Sequence, residues 1–95
     1  MRPYELTFIV RPGMEAENLD AVVEQVNNLV TSGGGQVTEV NAWGVRQLAY
    51  PIDRNTEGHY FFLRAHMPAQ VISGLERDLR LTEQILRFLI VRADE

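Results

Sequence analysis

The sequence predicts an α+β sandwich, a four-stranded antiparallel sheet with two helices on one of its faces. Three observations carry that expectation. Strand-type segments open and close the chain. Two other segments repeat their apolar residues every three or four positions, as helices do. Between them lies a long pair of strand-type segments separated by a turn-rich stretch, the pattern of a hairpin.

Tyr4 to Val10 reads as the first strand, with Tyr4, Leu6, Phe8 and Val10 on one face. Arg11-Pro12-Gly13 ends it as a turn. Leu19, Val22, Val23, Val26, Leu29 and Val30 then form the buried stripe of a first helix. Glu15, Glu17 and Asp20 fall in its first turns, where they oppose the positive end of the helix dipole. Ser32-Gly33-Gly34-Gly35 stops it. Gln36 to Pro51 reads as a long second strand and His59 to Met67 as an aromatic third, joined through a turn over Asp53 to Gly58. Pro68 opens a second helix whose stripe is Val71, Ile72, Leu75 and Leu79. Ile85 to Arg92 closes the chain. Leu75, Leu79, Leu86 and Ile90 also fit a continuing helix, but β-branched and aromatic content favours a strand.

The order βαββαβ, with right-handed crossovers, gives the ferredoxin-like arrangement over residues 1–95 as a single domain. Its first and third strands are central and its second and fourth are edges. One sheet face stays uncovered, and Glu5, Thr7, Arg87, Leu89 and Val91 have the parity to lie on it. An uncovered, partly apolar face invites a partner.

Composition narrows the function. There are no cysteines, which excludes disulfides, thiolate metal sites and cysteine nucleophiles. No apolar run approaches the roughly 20 residues that span a bilayer. Arg11 and Pro12 interrupt the first apolar run, so no signal-peptide layout is expected and a cytoplasmic protein is. The net charge of −4 opposes nucleic-acid binding, but its distribution weakens the objection. Glu15, Glu17, Asp20, Glu24 and Glu39 form an acidic block without a basic residue, read mostly as the solvated side of the first helix. All nine basic residues lie outside it, and all are arginine, whose planar fork suits phosphates and carboxylates.

Catalytic and metal readings find little support. Gly33-Gly34-Gly35 follows a helix instead of preceding one, so no helix N-terminus faces a phosphate there. His59 and His66 lie seven apart on one strand, hence on opposite faces. Ser32 and Ser73 have no base nearby in sequence, and the carboxylate pairs Glu76/Asp78 and Asp94/Glu95 sit on a helix surface and at the chain end. An acylphosphatase-like enzyme would need an anion-binding loop beside the first strand, and Arg11-Pro12-Gly13-Met14 is a poor one. Gly58, Tyr60 and Phe62 loosely echo the base-stacking strand of an RNA recognition motif, but core packing is the expected role of these aromatics. Arg46 stands out among the arginines, because it lies inside a strand two residues after Gly44, a site for a bulge.

Arg46 belongs to the run Trp43-Gly44-Val45-Arg46-Gln47-Leu48-Ala49-Tyr50-Pro51-Ile52. Met1-Arg2-Pro3-Tyr4-Glu5 and Arg11-Pro12 precede it, and Gly58, Tyr60 and Met67-Pro68 follow. In this order and spacing, the chain resembles the bacterial small-subunit ribosomal protein S6 family over nearly its whole length. The resemblance implies a structural constituent of the small ribosomal subunit, not a catalyst. It implies binding to the central domain of small-subunit rRNA together with ribosomal protein S18, on the cytoplasmic ribosome. By that analogy Arg2, Arg46 and Arg87 are RNA or partner contacts. Tyr50, Arg54, Arg80 and Arg92 join them from position and charge. No cofactor, metal, catalytic residue, membrane or small-molecule substrate is expected. Val45 and Gln47 flank Arg46 where the family often has further basic residues, and many members extend beyond the equivalent of Glu95. Fewer phosphate contacts are expected on both counts. The alternative is a ferredoxin-like small-molecule-binding or regulatory module that homodimerises through its open sheet face.

Overall fold

The computed structural model describes residues 1–93, and the carboxylate pair Asp94/Glu95 lies outside the described residues. The elements run β1 (Arg2–Val10), α1 (Ala16–Ser32), β2 (Gln36–Ile52), β3 (Asn55–Met67), a 3₁₀ turn (Ala69–Val71), α2 (Ile72–Arg80) and β4 (Ile85–Arg92). One antiparallel sheet has the order β2-β3-β1-β4, with β1 and β3 central as expected. The final segment is a strand, with the boundaries its composition predicts.

Alternation decides which face is covered. Tyr4, Leu6, Phe8 and Val10 of β1 and Phe61, Leu63, Ala65 and Met67 of β3 are all buried. Val22, Val26 and Val30 of α1 and Leu75 and Leu79 of α2 meet them in one cluster, so both helices cover the same face. Phe8 and Phe61 stack at 5.3 Å between ring centres. Each such burial contributes about 1.5–3 kcal/mol.

Three details depart from expectation. β1 begins at Arg2, because its first residues still pair with the end of β3 (Arg2 with Met67). The hairpin turn is only two residues, and β3 starts at Asn55 instead of His59. Asp53 and Arg54 both take positive φ, 49° and 68°, which matches the right-handed twist of paired strands. The Asn55 amide nitrogen secures the turn by donating to the carbonyls of Ile52 and Asp53, each at 3.2 Å. Third, only Phe61 of the aromatic run enters the core. Tyr60 and Phe62 belong to the opposite face by strand alternation and are half-buried there, so core packing does not account for them.

Candidate partner and nucleic-acid interface

The uncovered face is ordered in rows that cross all four strands. Gly44, Tyr60, Ile9 and Arg87 form one row, Asn41, Phe62, Thr7 and Leu89 the next, and Glu39, Arg64, Glu5 and Val91 the third. Leu89 is 62% exposed and Val91 42%, so the β4 side of this face is partly apolar. Thr7, Ile9, Arg87 and Leu89 line a shallow hollow of about 190 Å³ on this side.

A bulge decides what the β2 edge offers. Ala42 pairs with Phe61 and Gly44 with Tyr60, so Trp43 is the extra residue. Gly44 has φ +84°, a conformation that costs glycine nothing and other residues about 1–2 kcal/mol. Residues three apart on a regular strand point to opposite faces. The inserted residue cancels that, and Trp43 and Arg46 share the open side. The Trp43 ring lies nearly parallel to that of Phe62, 7° apart with centroids at 5.5 Å. The Arg46 guanidinium sits 5.5 Å from the Trp43 centroid, and that of Arg64 is 5.5 Å from Phe62. Phe62 is thus flanked by Trp43 and Arg64, unlike the free stacking surface of an RNA recognition motif.

The two arginines differ in charge balance. Arg64 bonds Glu5 at 2.8 Å and Glu39 at 3.3 Å. Its hydrogen bond to Glu5 is the main cause that holds its guanidinium above the ordinary value; partial desolvation opposes, and the charges of Glu39 and Glu5 add. Glu39 is therefore a strand residue with a partner, not part of the solvated helix side. Arg46 and Arg87 have no carboxylate partner among the described residues. In the third row Arg64 is held between two carboxylates, and at the hairpin end of the face Arg46 and Arg87 have none beside them among the described residues.

All seven residues predicted as contacts are exposed, but the fold does not gather them into one patch. Arg46 and Arg87 occupy opposite edges of the open face at its hairpin end. Arg80, in the last turn of α2, shares with Arg87 a cleft of about 400 Å³ that Asp53, Leu79 and Phe88 also line. Arg54 stands in the adjoining turn. Tyr50 projects from an irregular stretch in which residues 48–51 stand opposite Thr56 alone. Arg2 and Arg92 lie at the other end, opposite Met67 and Tyr4, whose side chains face the helices. Trp43, Phe62, Arg64 and Glu39 were not among the predicted residues. The one sequence signal for the first was glycine between an aromatic and an arginine within a strand.

Fold and face define a two-layer α+β sandwich that presents one sheet surface. Among the described residues no group of three metal-ligating side chains occurs, and no helix is long and apolar enough to cross a membrane. A family model described as ribosomal protein S6 matches residues 3–92. The small ribosomal subunit protein bS6 of Moorella thermoacetica is 41% identical over all of this chain and 97% of its own length. That of Thermoanaerobacter pseudethanolicus is 38% identical over the whole of both. The crystal structure of 30S ribosomal protein S6 from Thermotoga maritima superposes with a TM-score of 0.89 at 30% identity, over 96% of this chain and 86% of that one. The C-terminal domain of MgtC from Mycobacterium tuberculosis, at 13% identity and a TM-score of 0.64, shares the fold alone. The chain belongs to the ribosomal protein S6 family. It is a protein of the small ribosomal subunit, a structural component and not an enzyme.

Proposed function

We propose that this chain, acting as one domain over residues 1–95 on the cytoplasmic ribosome, binds the central domain of small-subunit rRNA jointly with ribosomal protein S18. The observation that supports this reading most is the pair Arg46 and Arg87, without carboxylate partners among the described residues, at one end of an uncovered sheet face. A chain of net charge −4 gains little from counterion release by itself. A basic partner docked beside these arginines supplies the rest. Arg87, Arg80 and Arg54 extend the contact around the hairpin end, Tyr50 adds an aromatic edge, and Arg2 and Arg92 form a second, separate contact.

Arg46→Ala tests the reading. Loss of one charged hydrogen bond weakens assembly with rRNA and S18 by about 1.5–3 kcal/mol. Unchanged affinity in a titration of the three-component complex would make Arg46 an ordinary solvated side chain.

A further inference from the structure

We propose that Trp43 is the positioning residue of Arg46, holding its guanidinium over the open face where it meets a phosphodiester of the RNA. The inference rests on the RNA-binding reading above and adds a part to it. Arginine has many rotamers, and fixing one at an exposed strand edge costs entropy at the moment of binding. Here the ordering precedes binding. The bulge turns Trp43 and Arg46 to the same side, the Phe62 ring backs the indole at 5.5 Å, and the indole face holds the guanidinium at 5.5 Å.

The cation stays available in this arrangement. Arg46 is exposed and has no carboxylate partner among the described residues, so the planar donor fork that suits phosphate is open to one. Arg64 is the internal contrast. It lies over the other aromatic of the same stack, but Glu5 and Glu39 occupy its donors. A phosphodiester is the acceptor that fits Arg46, because the proposed protein partner is itself basic.

The test uses the full chain with S18 and a central-domain rRNA fragment, comparing Trp43→Leu, Trp43→Phe, Arg46→Ala and the Leu/Ala double variant. An exposed cation–π contact corresponds to about a two- to fivefold change. Trp43→Leu, which keeps apolar cover but removes the ring, should weaken assembly by that factor. It should also flatten the dependence of affinity on salt in the same sense as Arg46→Ala. Trp43→Phe should retain most of the affinity, and Trp43→Leu should add nothing once Arg46 is alanine. A full Trp43→Leu effect in the Arg46→Ala background would overturn the proposal, as would a neutral Trp43→Leu beside a weakened Arg46→Ala. If Arg46→Ala is itself neutral, the RNA reading fails along with it. Trp43 is the sole tryptophan, so Arg46→Ala should also alter the emission of the isolated protein. Unchanged emission would mean that the two side chains do not meet in solution.

Discussion

At Gly58 the β3 backbone passes directly against the Ile9 side chain. A Cβ there would collide with Ile9 Cγ2 and come within 3.2 Å of the Val10 carbonyl oxygen. Gly58→Ala therefore overpacks the junction of β1 and β3, at a cost of about 1–3 kcal/mol in urea unfolding. A cost near zero would show that β1 yields easily. In sequence this glycine looks like part of an aromatic strand motif, and its steric reason emerges only once β1 is laid beside it. Arg64 carries a second prediction at this scale. Its folded value is raised, so its stabilising contribution is complete below the unfolded value and lost only as strongly alkaline pH passes the folded one. Through the neutral range Arg64 should add no pH dependence of its own. Because Glu5 and Glu39 already engage that guanidinium, Arg64→Ala should leave assembly with RNA within about twofold, the scale of an exposed ion pair. A loss as large as that of Arg46→Ala would contradict the division between the two arginines.

The β2–β3 hairpin is the element in which local backbone geometry matters most. Nothing lies within 4 Å of a Cβ added at Gly44, so the cost of Gly44→Ala is conformational alone, about 1–2 kcal/mol. Circular dichroism melts should register that loss, while Ala at the exposed Val45 should cost well under it. The Asp53-Arg54 turn holds arginine at positive φ, and replacing the pair by Asn-Gly should stabilise the chain by about 0.5–1 kcal/mol. Destabilisation would mean that the turn residues make contacts beyond the turn. The two helices and β4 were legible because each carries a buried stripe or strongly strand-type composition. The start of β3 was not. Asn55, Thr56 and Glu57 overhang the end of β1, bury no apolar face and so carry no periodic signal. The bulge was legible as a site, from Gly44, but its effect on the direction of Arg46 depends on pairing with β3.

Across the whole molecule, an acidic first helix is set apart from the arginines at the hairpin end of the open face. Helix α1 carries Glu17, Asp20 and Glu24, and the sheet side carries Arg46 and Arg87 in a chain of net charge −4. Composition therefore understates what one face can attract, and a sequence reading recovers the asymmetry without its layout. Arginines far apart in the chain looked equivalent. Strand register separates Arg46 and Arg87 from Arg2 and Arg92, and no single-sequence pattern encodes that separation. The most direct test of joint recognition is a titration of a central-domain rRNA fragment at physiological salt, with the protein alone and then with S18. Weak or undetectable binding is expected for the protein alone, and tight, salt-sensitive binding with the partner. Submicromolar binding by the isolated protein would contradict it.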